Sequence, residues 1–267
     1  MTFREQTAQL QLTSESDVLA AEVPGHSFRI LADAAGTAGS YSLTVATSPA
    51  GAGVPPHAHD RCVECFYVLT GHYRLTVSGS THEASAGGFV IVPRGSPHHF
   101  EVAGDEPGRA VVIFAPAGFE EVFRRMPEIF GTPGEPGHLW EQANAMVNTR
   151  LLGRMDDLRT GPAAITVASE HPSRRTDRPW PVSLTTLGTP ELTRTPLAIS
   201  LRSGPRDSTW PIHRSVSAIW IVTGSYRIAV GDSEVIASEG ELVSFIRPGL
   251  GLASALGPAN QALVLTL

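Results

Sequence analysis

Two neighbouring stretches decide the fold of this chain. The first runs from Gly51 to Gly71 and reads GAGVPPHAHDRCVECFYVLTG; the second runs from Gly87 to His98 and reads GGFVIVPRGSPH. Glycine and proline fall at turn positions on either side of short apolar runs, a pattern typical of β-strands joined by tight turns. The two stretches therefore predict a group of short strands.

The same stretches contain four side chains that can bind a metal ion: His57, His59, Glu64 and His98. Side chains alternate along a strand, so His57 and His59 point the same way if their segment is extended. Three imidazoles and one carboxylate form a ligand set for a borderline divalent metal with open coordination positions. Surface histidines in loops are the alternative, which the flanking turn residues disfavour.

These residues match the two consensus motifs of the cupin superfamily, which the chain resembles. The first motif is Gly, five residues, His-x-His, four residues, Glu, six residues, Gly. The second is Gly, five residues, Pro-x-Gly, two residues, His. All nine fixed positions match, and only the Asn that sometimes follows the second motif is absent. The nearest similarity is to quercetin-dioxygenase-like cupins, over roughly residues 27–130.

The resemblance implies a mainly β fold, in which a double-stranded β-helix (jelly-roll) barrel surrounds one divalent transition metal per chain. The ion could be Fe, Mn, Ni, Co, Cu or Zn, because affinity order alone does not select it. The resemblance also implies that Glu64 can leave or tilt within the coordination sphere and act as the catalytic base. Cupins often dimerise through the edges of their barrels, so the resemblance is compatible with a homodimer. Two barrels within one chain can form the same kind of pair instead.

Composition and charge exclude several classes of protein. The 267 residues allow one large or two medium domains, and the net charge of -6 gives no electrostatic footprint for nucleic acid. The sequence contains no run of about 18 apolar residues, so it predicts no membrane-spanning helix. The first residues do not resemble a signal peptide, so we expect a cytoplasmic protein with no membrane partner.

The two cysteines, Cys62 and Cys65, could form a redox pair or half of a zinc site. The sequence has no second cysteine pair and no βαβ pattern around this one. We therefore interpret both as structural thiols, with Cys62 the closer to the ligands. His72, His82 and His99 fall outside the motifs, and we do not expect them to bind the metal.

Extended runs on both sides of the motifs predict a jelly-roll or small barrel. In residues 118–126 the spacing of the apolar residues changes to that of an amphipathic helix, with Phe119, Val122, Phe123 and Met126 on one face. Pro127 should end or kink this helix. Residues 139–155 predict a second helix. We expect these helices to pack against a barrel face; the alternative is that one covers the barrel mouth and shapes the pocket.

The C-terminal part repeats the first. Residues 219–240 align without gaps on residues 66–87, with nine of the 22 positions identical, which indicates a second barrel. We therefore expect two cupin barrels: an N-terminal metal-binding domain (1–131), a helical and loop connection (132–177), and a degenerate C-terminal cupin (178–267). The alignment sets the non-ligands Trp210, Ile212, Ser217 and Gly251 opposite the metal ligands. A one-residue slip would recover only His213, so we expect no metal there.

Two enzyme classes fit the ligand set. The first is an oxygenase that uses O2 and acts on an electron-rich enolic, phenolic or polyketide-like small molecule. The second is a non-redox cyclase, isomerase or dehydratase of secondary metabolism, in which the metal is a Lewis acid. A small-molecule-binding protein without turnover is the third candidate. Expected pocket walls of Phe66, Val68, Phe100 and Val102 favour an aromatic or polyketide-like substrate over a phosphosugar.

Overall fold

The computed structural model describes residues 10–23, 25–134, 136–147, 149–152, 161–167, 183–246 and 249–267. Over these residues the chain is built mainly from antiparallel strands, which confirms the predicted fold class. It also has a short 3-10 turn at Glu15–Asp17 and three α-helices: α1 Glu120–Phe130, α2 Pro136–Ala145 and α3 Pro190–Thr193. No helix in this described part is long and apolar enough to cross a membrane.

The strands before the helices α1 and α2 are short, and tight turns join most of them. In chain order they are β1 Leu10–Ser14, β2 Ala20–Val23, β3 His26–Ala32, β4 Ser42–Ser48, β5 His57–His59, β6 Val63–Thr70, β7 His72–Val77, β8 Ser80–Ser85, β9 Phe89–Val92, β10 His98–Ala103 and β11 Gly108–Ala115.

The strands after α2 complete the fold. They are β12 Thr149–Leu151, β13 Ile165–Val167, β14 Ser183–Gly188, β15 Ala198–Gly204, β16 Thr209–Ile212, β17 Val216–Thr223, β18 Ser225–Val230, β19 Ser233–Ser238, β20 Glu241–Phe245, β21 Gly251–Ala255 and β22 Asn260–Thr266.

The chain divides into two compact units. Among the described residues, the N-terminal unit contains 18–152, 161–167 and 191–195, and the C-terminal unit contains 10–17, 183–190 and 196–267. Strand β1 therefore belongs to the C-terminal unit, where it pairs with β20 although it comes first in the chain. The predicted domain boundaries at 131 and 178 remain predictions, and the second falls outside the described residues.

Each unit consists of two antiparallel sheets that enclose an apolar core. In the N-terminal unit the strand orders are β12-β5-β10-β7-β8 and β13-β9-β6-β11-β4-β3-β2. In the C-terminal unit they are β1-β20-β17-β22-β15-β14 and β16-β21-β18-β19. In β7 and β10 the large apolar residues belong to the core and alternate with partly exposed, mostly polar residues, as expected for a sheet with one face inward.

The internal repeat predicted from the sequence is present in the strands. Strands β6, β7 and β8 begin at Val63, His72 and Ser80, and β17, β18 and β19 begin 153 positions later in each case. The glycines that turn the chain between the first two strands also agree, since Gly71 and Gly224 both have φ of 79°. Glycine is needed there because other residues rarely adopt a positive φ.

The register of one strand differs between the two units. In the N-terminal unit His57 of β5 pairs with His98 of β10, whereas in the C-terminal unit Ile212 of β16 pairs with Gly251 of β21. The ungapped alignment had set Trp210 opposite His57, so strand pairing shifts this segment by two residues. Ile212 therefore occupies the place of His57, and this corrects the one-residue slip that we considered.

Helix α1 extends further than the sequence indicated. It continues to Phe130 and contains Pro127, which we expected to end or kink it. Proline removes one backbone donor but leaves its carbonyl, and the carbonyl of Pro127 accepts a hydrogen bond from the backbone N–H of Gly131. The buried carboxylate of Glu120 accepts hydrogen bonds from the backbone N–H groups of Gly118 and Ala34, which ties the first turn to the barrel.

Helix α2 is shorter than predicted. It ends at Ala145, and residues 149–151, which we expected to be helical, form strand β12. Strand β12 adds to the edge of β5, with Thr149 opposite His59 and Leu151 opposite His57. In β12 the backbone N–H and C=O groups are hydrogen-bonded to the open edge of β5, whereas in a helix they would be bonded within the segment. The helical spacing of apolar residues therefore did not determine the structure of residues 149–151. The rest of the predicted helix, residues 153–155, lies outside the described residues.

Candidate metal centre

Both sheets of the N-terminal unit contribute to one cluster of potential ligands. His57 and His59 lie two residues apart on β5, and His98 begins the neighbouring strand β10. Glu64 lies on β6, in the other sheet. One ligand atom from each of the four side chains lies within 4.8 Å of the others. No other such group of three or more His, Cys, Asp or Glu occurs in the described parts of the chain.

The three imidazole rings face one another around this point. Their centroids are 4.8 Å apart for His57 and His59, 4.2 Å for His57 and His98, and 5.1 Å for His59 and His98. Oε2 of Glu64 lies 3.1 Å from Nε2 of His59 and 2.9 Å from Nε2 of His98. This convergence is the one expected of ligands to a single ion.

Backbone carbonyls orient two of the imidazoles. Nδ1 of His57 lies 2.8 Å from the carbonyl oxygen of Pro55, and Nδ1 of His98 lies 2.8 Å from that of Ser96. A carbonyl only accepts hydrogen bonds, so each Nδ1 carries the proton and donates it. In the neutral imidazole Nε2 then presents a lone pair to the centre, which is how a second group selects the tautomer of a metal-binding histidine.

The third imidazole has a partner that the sequence analysis missed. Nδ1 of His59 lies 2.9 Å from Oγ1 of Thr149, which comes from β12, 90 residues along the chain. Thr149 is itself buried, with 7% of its surface exposed. No motif identifies this residue; only the pairing of β12 with β5 brings it to the site.

The chemistry of the cluster fits a divalent cation. His98 donates through Nδ1, while its Nε2 faces a carboxylate, which can only accept when ionised. A proton or a metal ion must therefore lie between these groups. Burial strengthens this requirement, because His57, His59, Glu64 and His98 expose only 8%, 3%, 5% and 1% of their surfaces. Buried charges need a counter-charge or a metal.

The electrostatics keep the ligands in the forms that bind metals. Burial, with help from the neighbouring His98 and His59, lowers the pKa of His57 well below its ordinary value, and burial also lowers the pKa of His59. For Glu64 burial alone would raise the pKa, but the close imidazoles of His59 and His98 outweigh it and hold the pKa below its usual range. Burial thus favours the neutral, metal-binding form of His57 and His59, while the neighbouring imidazoles favour the ionised form of Glu64.

The remaining residues singled out in the sequence do not join the cluster. His72 is partly exposed and pairs with Glu83 and with the hydroxyl of Ser85, which lies 2.8 Å away. His82 and His99 are not in the cluster either. Cys62 and Cys65 are both free thiols, and burial raises the pKa of Cys62 to about 12. Neither cysteine has the lowered pKa of a reactive thiol.

The residues of the C-terminal unit that the ungapped alignment set opposite the ligands do not form a metal site. Trp210 and Ile212 are buried in its apolar core, with 3% and 1% of their surfaces exposed. Ser217, which aligns with Glu64, donates a hydrogen bond to the carbonyl of Leu265. His213 is exposed and lies beyond the end of β16.

An apolar pocket of about 600 Å³, including its open mouth, reaches the cluster. Of the four candidate ligands, His57 and Glu64 line it. Of the expected wall residues, Phe66 and Phe100 line the pocket, whereas Val68 and Val102 are buried in the surrounding core.

The helices pack on the barrel core, as we expected, and they also form part of the pocket wall, as in the alternative. Phe119, at the start of α1, and Phe123 and Met126 within it line the pocket, as does Trp140 of α2. The ring of Phe119 lies 4.5 Å from that of His59. Aromatic side chains on α1 were visible in the sequence, but their direction depends on how the helix packs on the barrel.

Comparison with known proteins supports the fold. Residues 44–114 match the family described as "Cupin domain". None of the curated proteins matches this sequence. Among solved structures, the oxalate decarboxylase of Lactobacillus farciminis in its formate complex aligns with a TM-score of 0.66 and 13% identity, covering 96% of this chain and 85% of that one.

Two further structures show the same architecture. A glyoxylate-induced protein from Pseudomonas aeruginosa aligns with a TM-score of 0.67 and 12% identity, covering 99% of this chain and 92% of its own. Vicilin from Corylus avellana (hazelnut) aligns with a TM-score of 0.61 and 13% identity, covering 96% and 85%. At this identity the likeness concerns the fold alone. Residues 44–114 therefore match a cupin domain, and the chain as a whole has a fold similar to that of the bicupin oxalate decarboxylases.

Proposed function

We propose that the protein is a metal-dependent oxygenase that acts on an uncharged, electron-rich enolic or phenolic molecule. The observation that carries the proposal is the position of the cluster at the wall of an apolar pocket, with His57 and Glu64 facing the space where a substrate would bind. His57, His59, Glu64 and His98 would hold the ion. When bound, the ion supplies Lewis acidity and, for a redox-active metal, electron transfer with O2.

The pocket lining supports the substrate class. His57, Glu64 and Tyr73 are its only titratable residues, and no arginine of the described chain lines it. A divalent ion and the Glu64 carboxylate together carry one positive charge, so a small dianion such as oxalate would need a further cationic side chain, and the lining does not favour the substrate named for the oxalate decarboxylases. Aromatic rings favour a planar, apolar molecule instead.

Glu64 is the proposed catalytic base. Its carboxylate lines the pocket and is ionised at neutral pH, so it can accept the proton of an enol or phenol that approaches through the pocket. The histidines at the other side of Glu64 keep it oriented through Oε2. Its second oxygen, Oε1, makes no hydrogen bond to the other three side chains of the cluster and is available to a substrate.

Anaerobic turnover tests this proposal against its rival, a metal-assisted cyclase or isomerase. The protein, loaded separately with Fe²⁺, Mn²⁺, Co²⁺, Ni²⁺, Cu²⁺ or Zn²⁺, is incubated with phenols, catechols and enolisable diketones while O2 uptake and product are recorded. We expect stoichiometric O2 uptake with at least one redox-active ion and none in Glu64→Gln with matched metal content. Product formation that continues unchanged without O2 would reject the oxygenase and leave the rival.

A further inference from the structure

Tyr73 carries a buried hydroxyl that no group of the described residues satisfies. The residue exposes 2% of its surface and lines the pocket. Its Oη has no hydrogen-bond partner in the part of the chain that the structure describes, and it is the one buried polar side-chain atom of the pocket lining in this condition there. Burying a hydroxyl without a partner costs free energy, which a ligand that pairs with it would recover.

The hydroxyl and the metal cluster lie toward opposite ends of the barrel interior. On neighbouring strands, Tyr73 pairs with Val102, whereas His98 pairs with Val77, so the two sites are four residues apart along β10. At a rise of roughly 3.3 Å per residue this separation is about 13 Å along the strand. The tyrosine ring packs against Gly108, where an added Cβ would lie 2.7 Å from the ring and from the hydroxyl.

Aromatic rings occupy the distance between the two ends. The ring of Phe100 lies 5.7 Å from that of Phe66 and 5.8 Å from that of Tyr73, measured between centroids. Phe66 and Phe100 both line the pocket. Arg109 acts electrostatically on Tyr73, but neither it nor any other cationic side chain of the described residues lines the pocket. The lining therefore suits a flat apolar body and an uncharged group at its far end.

We propose that the pocket selects an elongated, apolar or aromatic ligand with oxygen donors at one end and a single uncharged hydrogen-bonding group at the other, held by the hydroxyl of Tyr73. This inference rests on the proposed function for the near end, where the oxygens meet the metal site. It adds the length of the ligand and the chemistry of its far end. Tyr73 is then a specificity-determining residue.

A set of three matched probes tests the far end. Each has a hydroxamate to bind the metal and a rigid biphenyl body: biphenyl-4-carbohydroxamic acid, its 4′-hydroxy derivative and its 4′-carboxylate. The full chain is loaded with Zn²⁺, which excludes redox turnover, and the Kd of each probe is measured by titration calorimetry. The same measurements are made on Tyr73→Phe and on Tyr226→Phe. Tyr226 occupies the repeated position in the C-terminal unit, so its variant is the control.

In the wild type we expect the 4′-hydroxy probe to bind about tenfold more tightly than the parent, the effect of one added neutral hydrogen bond in a buried site. The advantage should vanish in Tyr73→Phe and persist in Tyr226→Phe. The 4′-carboxylate should bind more weakly than the parent, because its charge would enter an apolar pocket in which no described lining residue is cationic.

Equal affinities of the parent and the 4′-hydroxy probe in the wild type would overturn the inference and leave a buried water as the partner of the hydroxyl. An advantage that persists in Tyr73→Phe would also overturn it. If zinc binds with the expected stoichiometry but no probe binds, the ligand length is wrong while the metal site stands. If zinc itself does not bind, the proposed function fails with it.

Discussion

Oγ1 of Thr149 lies 2.9 Å from Nδ1 of His59, although 90 residues separate them in the chain. Thr149 belongs to β12, which lies 35 residues beyond the end of the cupin match at residue 114. The proposed metal site therefore depends on a segment outside the cupin domain itself. Groups that bond the second nitrogen of a metal-binding histidine fix its ring orientation and its tautomer.

Thr149→Val should weaken metal binding without unfolding the protein. Valine keeps the shape of threonine but removes the partner of His59, and loss of such a partner typically costs 10–100-fold in metal affinity. We expect an increase of that size in the Kd for Co²⁺, measured by competition with a chromophoric chelator.

Two controls separate this effect from general damage to β12. Thr149→Ser retains the hydroxyl and should restore most of the affinity. Arg150 follows Thr149 on β12 and forms an exposed ion pair with Asp60. Arg150→Ala removes this ion pair and should leave the metal affinity close to that of the wild type. Equal affinity in Thr149→Val and wild type would show that Thr149 does not position His59.

His57→Ala and His98→Ala should each remove most of the bound metal. Each variant deletes one of four converging ligands, so the remaining three side chains should hold the ion less tightly. A metal that binds only the folded state stabilises it by about 2.7 kcal/mol at a hundredfold excess over Kd. The wild type should therefore show a rise in Tm on adding the ion, and the variants should not.

His72→Ala is the matched control for these substitutions, since it removes a partly exposed histidine outside the cluster. It should retain both the metal and the rise in Tm. Full retention of metal in His57→Ala or His98→Ala, measured by elemental analysis, would contradict the proposed ligand set.

The full chain should bind one metal ion. In the C-terminal unit the strand positions that correspond to His57 and His98 carry Ile212 and Gly251, which offer no ligand atoms. Metal analysis of the saturated protein should give a ratio near one, and it should fall near zero in His57→Ala. A ratio near two would show that residues of the C-terminal unit also bind metal.

Acidification should destabilise the protein partly through His26. Its imidazole is buried, and Nδ1 lies 2.8 Å from Oγ of Ser48. Burial lowers the pKa of His26 below the ordinary value of 6.5 despite an opposing hydrogen bond to the backbone of Gly53. Below pH 6.5 the unfolded chain therefore binds a proton that the folded chain resists, so the free energy of unfolding should fall as the pH drops toward the lowered pKa.

Urea unfolding at pH 7.5 and pH 5.5 measures this dependence. The decrease between the two pH values should be smaller in His26→Asn, which lacks the titrating group, than in the wild type. The exposed His138 provides the control, and His138→Asn should keep the wild-type decrease. An identical decrease in wild type and His26→Asn would exclude a contribution from His26.

Both cysteines should be inert in the folded protein. Cys62 and Cys65 expose 7% and 0% of their surfaces, and burial raises the pKa of both thiols, to about 12 for Cys62. Thiolate is the reactive form, so labelling with a disulfide reagent at pH 8 should be slow in the native state. Two thiols per chain should react after denaturation. Rapid native labelling would show that this region opens readily.

Local pattern was enough to predict the strands around the motifs. His57 and His59 are two residues apart, so an extended backbone places them on one face, and this relation depends on no distant part of the chain. The repeat was equally local, since strands β6 to β8 and β17 to β19 keep one spacing throughout. Glycine at Gly71 marks a turn because few other residues tolerate a positive φ.

Strand pairing and helix packing decided the rest, because both depend on contacts between residues distant in sequence. The pairing register of a strand can differ between two repeats. The register of β16 differs from that of β5 by two residues, which an ungapped sequence alignment cannot reveal. Residues 149–151 form a strand because they pair with the edge of β5, and this pairing places Thr149 next to His59. The hydroxyl of Tyr73 could be recognised as unpaired only when every surrounding side chain was in place. The sequence by itself determined the fold class, the repeat and the candidate ligands; the tertiary structure decided which groups orient those ligands and which pocket they face.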